Sequence, residues 1–145
     1  MMAIARGTAA SAFGGVMLMT AWQGVALATP PSGVTGTILA QWTAGGTDHI
    51  VRRLVIAPGG GTGWHYHDGP VRALIERGTL THNAADCSVD GVYEPGEVIV
   101  ESAGAGHTHI GRNLGSVPLV LTALYTLPHG SPLAEDAPNP GCDFE

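Results

Sequence analysis

A chain of 145 residues with a formal net charge of −6 has room for one core rather than two, and it lacks the clustered basic face that nucleic acid requires. Charged residues make up only 12%, while 22 glycines and 10 prolines break the sequence into short runs. Its two cysteines have no Cys-x-x-Cys spacing, which excludes thioredoxin-like chemistry and a zinc-finger ligand set.

The first element reads as a leader. Arg6 is the last charge before Asp48, and an Ala/Gly/Met-rich run extends to about Leu27, ending in Ala26-Leu27-Ala28. That small-x-small ending is the pattern signal peptidase cuts, here before Thr29. Residues 1–28 are therefore expected to be a signal peptide and residues 29–145 the mature, exported domain, periplasmic or secreted. The competing reading is an uncleaved membrane anchor: Gly7 to Ala28 is long enough to span a bilayer, but its many Gly, Ala and Thr residues make it weakly hydrophobic. In an exported protein, Cys87 and Cys142 are expected to form a disulfide that ties the acidic tail to the loop at Asp86-Cys87-Ser88. The alternative is a pair of free buried thiols.

From Thr29 onward Gly and Pro recur roughly every 8–12 residues between runs rich in Val, Ile, Leu and Thr, the rhythm of an all-β sandwich or barrel. The predicted strands are Val34 to Gln41, Ile50 to Ala57, Gly63 to His67, Val71 to Glu76, Gly78 to His82, Glu97 to Glu101, Gly106 to Asn113 and Pro118 to Leu127. Pro58-Gly59-Gly60-Gly61 and Pro95-Gly96 supply the reversals. No window has a sustained helical apolar period, and Pro128 to Glu145 reads as an extended Pro-rich tail.

Two of these strands carry the chemistry. His65-Tyr66-His67 and His107-Thr108-His109 each place imidazoles at i and i+2, which share one face of a strand. If the strands face each other, the rings converge, and imidazole suits Zn, Cu, Fe or Ni. His49, His82 and His129 fall in loop or edge contexts and are expected to be solvated. Trp42, Trp64 and Tyr66 are expected to pack or line a rim. Arg72 is the candidate clamp for a substrate carboxylate, with a surface ion pair as its alternative.

Pro58-Gly59 and His65-x-His67, followed by Arg72 to Gly78, resemble the first motif of the cupins; Gly96-Glu97, Gly104 and His107 resemble the second. The two motifs span 58–82 and 95–113. The resemblance implies a single-domain jelly-roll β-barrel that holds one divalent transition metal (Fe, Mn, Zn, Cu or Ni) on His65, His67 and His107. It also implies a homodimer through strand exchange. The family's glutamate ligand has no match: its place falls at Val71, and Glu76 lies on the opposite face. Without that carboxylate the cation charge is less compensated, which favours an anionic small-molecule ligand. His109 is the candidate for the vacant fourth position or for an acid/base beside the metal. Three functions fit these residues: a dioxygenase or isomerase, a non-catalytic metal- or ligand-binding barrel, and a metal-free barrel.

Overall fold

The computed structural model describes residues 28–145, so the expected signal peptide lies, apart from Ala28, outside the described residues. The strands are β1 (Ser32–Ala44), β2 (Thr47–Gly61), β3 (His65–Tyr66), β4 (Val71–Arg77), β5 (Leu80–Ala84), β6 (Val89–Tyr93), β7 (Val98–Glu101), β8 (His109–Arg112), β9 (Leu119–Pro128) and β10 (Glu135–Asp136). Among the described residues the only helix is one 3-10 turn, Ala105–His107. No described helix is long and apolar enough to cross a membrane.

Period-two alternation explains why these segments pair as they do. On β4, Val71, Ala73 and Ile75 are buried while Arg72, Leu74 and Glu76 are exposed. On β9, Leu119, Leu121, Ala123, Tyr125 and Leu127 are buried in the same way. A one-residue slip would turn each set to solvent, so the burial fixes the register. β2 and β9 accordingly run from Thr47↔Pro128 to Ile56↔Leu119 without a shift.

All pairings are antiparallel, and the sheet runs β10-β3-β8-β2-β9-β4-β7, with β1 on β2 and β5 between β8 and β6. It curls into a nearly closed barrel, the all-β architecture expected from the turn rhythm. The main core fills its interior, with Leu54, Ile56, Ile75, Leu119 and Leu127 at its centre. β1 pairs only with β2 among the described residues, and Ile38, Leu39 and Trp42 on it are exposed.

A second apolar cluster of Trp64, Ile110 and Ala137 is covered by Cys142 and Phe144 of the tail. Trp64 thus packs, as expected. Cys87 and Cys142 are joined in a disulfide with Cα atoms 5.5 Å apart. The tail is not merely extended: β10 pairs with β3, and Ala137 N–H donates to the Trp64 carbonyl at 2.9 Å.

One strand starts later than its sequence suggests. The segment expected to be extended from Gly106 opens instead in the 3-10 turn, and β8 begins at His109. Gly104, at φ 99°, permits the reversal. Its N–H donates to the His67 carbonyl at 2.7 Å, and His107 N–H then closes the turn onto the Gly104 carbonyl at 2.9 Å. These bonds take His107 out of the strand and leave His109 as its first residue.

Candidate metal centre

β8 is the strand that assembles the site. It pairs with β3 on one side, His65 opposite His109, and with β5 on the other, His82 opposite Gly111. His65, His67, His82 and His109 are all buried. The His65 ring lies 4.4 Å from that of His109 and 4.8 Å from that of His67, while the His82 ring lies 4.7 Å from His109.

Each of the four rings is oriented by an acceptor at Nδ1. His65 Nδ1–H donates to the Gly63 carbonyl at 2.9 Å, His67 Nδ1–H to Leu133 at 2.7 Å and His109 Nδ1–H to His107 at 2.7 Å. His82 Nδ1–H donates to the Asp90 carboxylate at 2.5 Å. Gly63 is a glycine for two reasons: its φ is 72°, and a Cβ there would overlap the Thr29 carbonyl. An oxygen that only accepts fixes a proton on Nδ1, so in each neutral ring it is Nε2 that carries the lone pair.

The fifth member of the group is Glu101, at the end of β7. Its Oε2 lies 3.1 Å from His67 Nε2, and its Oε1 lies 3.7 Å from His109 Nε2 and 3.8 Å from His82 Nε2. Four imidazole lone pairs and a carboxylate therefore face one another. His82 Nε2 and His109 Nε2 are buried without a hydrogen-bond partner. A cation satisfies such a group, and this is the arrangement metal-ligating histidines adopt, Nδ1–H held and Nε2 free. Ligand atoms of His65, His67 and His109 lie within 4.8 Å of one another, as do those of His82, Glu101 and His109.

The electrostatics agree with a site built for a positive charge. Burial pushes His65 down to about 3, and the neighbouring His109 and His67 add to that shift, so the ring stays neutral. Burial likewise lowers His109, against the pull of Glu101. For Glu101 burial acts upward, but in the metal-free protein a proton shared with His67 Nε2, and the positive charge that His109, His67 and His82 carry when protonated, outweigh it and hold the carboxyl below its ordinary 4.5.

His107 is a correction. It is exposed, at the end of the 3-10 turn, and only its backbone carbonyl reaches the cluster, as the acceptor for His109 Nδ1–H. It is His109 that lies beside His65 and His67. His82 is a second correction, since it is buried rather than solvated. His129 is solvated as expected, 67% exposed, and bonds Asp48. Arg72 is exposed on the outward face of β4 and lines no part of the cavity beside the cluster, whereas Arg52 does. Glu76 faces outward too, 2.8 Å from Arg53.

A buried-site carboxylate does lie across the sheet from the place of the missing one. Val71, where the motif glutamate is absent, pairs directly with Glu101. The glutamate of the cluster thus stands on β7, facing the β4 position that the motif glutamate would occupy. Parity was the available signal for both residues the sequence reading missed: Glu101 has the parity of Ile99, and His82 that of Leu80, both of which point inward.

Two cavities meet at this cluster. The first, about 180 Å³, has mostly apolar walls, including Leu54, Val71 and Leu121, and is edged by His65, His67, Glu101, Arg52 and Tyr125. A Cβ at Gly36 would overlap the Arg52 guanidinium, so the glycine leaves room for that side chain. Burial raises the Tyr125 phenol, keeping it an O–H donor at neutral pH. The second cavity, about 240 Å³, is lined by His82, Asp90, Glu101, His107 and His109 among others.

Comparison with solved structures settles the architecture. A cupin-like protein of Thermotoga maritima superposes with a TM-score of 0.61 at 23% identity, over 75% of this chain and 80% of that one. The fold is that of the cupins. The polyketide cyclase RemF of Streptomyces resistomycificus superposes with a TM-score of 0.61 at 16% identity, over 86% and 90% of the two chains. Against a chain of the Rhodobacter sphaeroides complex of SigE with the anti-sigma ChrR, the TM-score is 0.52 at 18% identity. That match covers 63% of this chain, which spans less than half, 43%, of the other. No family model and no curated protein matches the sequence. A cupin barrel with buried, converging histidines fits a metal-binding cupin.

Proposed function

We propose that this chain is an exported metal-binding cupin that presents a small, partly apolar anion to its cation, an enzyme of the dioxygenase or isomerase type. The observation that carries the reading is the cluster of lone pairs: every Nδ1–H of His65, His67, His82 and His109 is already committed to an acceptor, and no donor serves the Nε2 atoms of His82 and His109. A transition metal bound there would polarise an oxygen of the ligand and, if redox-active, exchange electrons with it. His65, His67 and His109 are the residues that would hold it, with Glu101 compensating its charge.

The rest of the site suits an anion with an apolar body. Leu54, Val71 and Leu121 exclude water from one flank of the cavity, while Arg52 and Tyr125 offer a cation and an O–H donor. Glu101, ionised and 3.1 Å from His67 Nε2, holds or moves a proton there when no cation separates them. Export is supported by the leader-like N-terminus and the Cys87–Cys142 disulfide. RemF is a precedent for enzyme chemistry on this barrel.

The test is metal stoichiometry. Metal-free protein equilibrated with zinc and passed through a desalting column should retain the metal, and the double substitution His65→Ala, His67→Ala should bind about one equivalent fewer while its far-ultraviolet dichroism still reports a β-barrel. Unchanged stoichiometry in the folded variant overturns the assignment.

A further inference from the structure

Glu101 faces two sets of ligands with its two oxygens. Oε2 is directed to His67, at 3.1 Å, and Oε1 to His109 and His82, at 3.7 and 3.8 Å. The two groups with metal-ligand spacing, His65/His67/His109 and His82/Glu101/His109, share His109. That ring has a single free lone pair, because its Nδ1–H is given to the His107 carbonyl. It can ligate one cation only. With His109 serving the first group, His82 Nε2, which has no partner, and Glu101 Oε1, 3.8 Å from it, remain around a second position.

We propose that the barrel takes two divalent transition-metal cations, the second held by His82 Nε2 and Glu101 Oε1, with Glu101 bridging the two. The inference rests on the metal-binding reading above and extends it. His82 is 7% exposed, and its Nε2 has no partner. Asp90 holds the Nδ1–H at 2.5 Å, the carboxylate–histidine arrangement that orients a metal ligand and raises its basicity. A solvated or merely packed histidine needs neither feature. The second cavity opens on the same side, lined by His82, Asp90, Glu101 and His107, and its volume of about 240 Å³ leaves space for water or a small oxygen ligand to complete the coordination. A carboxylate between two cations is the geometry by which two-metal sites clamp an oxygen substrate, with the ions about 3.5–4 Å apart. An imidazole and a carboxylate suit zinc or manganese in such a position.

Calorimetric titration of the full metal-free chain with zinc, backed by elemental analysis, tests this. The wild type should bind about two equivalents, and His82→Ala and the His65→Ala, His67→Ala double variant about one each. Asp90 is 45% exposed, so Asp90→Asn disturbs folding little; it should weaken the second equivalent about tenfold while leaving the first unchanged. A single equivalent in the wild type overturns the proposal and leaves the single-metal reading standing, whether His82→Ala preserves that equivalent or weakens it. No binding by the wild type removes the reading beneath it as well.

Discussion

An imidazole whose Nδ1–H is held by a carbonyl has one lone pair left to give, and the backbone decides where it points. His107 and His109 illustrate this two positions apart: one contributes a carbonyl, the other a ring. His109→Ala should therefore weaken zinc binding by at least about tenfold, whereas His107→Ala should leave it within about twofold, since alanine keeps the carbonyl. Competition with a chromophoric chelator reads both values, and a loss in His107→Ala equal to that in His109→Ala would contradict the placement. Val71 and Glu101 give a second test. Val71→Glu alone buries a second carboxylate beside the first and should destabilise the metal-free protein by about 2–4 kcal/mol in urea denaturation. Adding Glu101→Val moves the single carboxylate across the strand pair and should restore both stability and metal binding. Failure of the double variant to bind metal would show that the two positions are not equivalent.

At the scale of elements, most strands were readable because alternation and turn residues agree. β2, β4, β7 and β9 lie within a few residues of the segments that Val, Ile and Leu runs mark out. β6 and β10 were missed. β6 is a surface strand with Val89 and Val92 exposed, so it shows no buried face, and β10 is two residues whose pairing is imposed by β3. The histidine cluster was half readable. Spacing identified His65 and His67, but the choice between His107 and His109 depended on a 3-10 turn set by hydrogen bonds to Gly104 and from it to His67, which no local pattern announces. The tail couples to the site through Leu133, whose carbonyl holds His67 Nδ1–H, and is fastened by the disulfide that closes a separation of 55 residues. Replacing Cys87 and Cys142 by serine should cost on the order of 4 kcal/mol of stability and lower metal affinity through His67. Equal urea midpoints for the two proteins would contradict this role.

The whole molecule's response to acid follows from the buried site. His65 is held neutral down to about 3 in the folded barrel but takes a proton near 6.5 when unfolded. Below 6.5 the unfolded state binds more protons, so the metal-free protein should lose stability as pH falls from about 6.5 towards 3, by a few kcal/mol. Glu101, held below its ordinary 4.5, adds to the loss below that value, since its contribution is complete only above it. Denaturant midpoints across this range measure the effect, and a flat profile would contradict it. A bound metal should suppress the slope, because its ligands must be deprotonated to hold it.

The most direct test of the central claim, that inward Nε2 atoms of this barrel ligate a metal, is X-ray absorption of the protein loaded with one equivalent of zinc. Scatterers at about 2.0–2.1 Å, with the multiple-scattering pattern of about three imidazoles and no sulfur, are the expected result. A shell of oxygen alone, without the imidazole pattern, would contradict it.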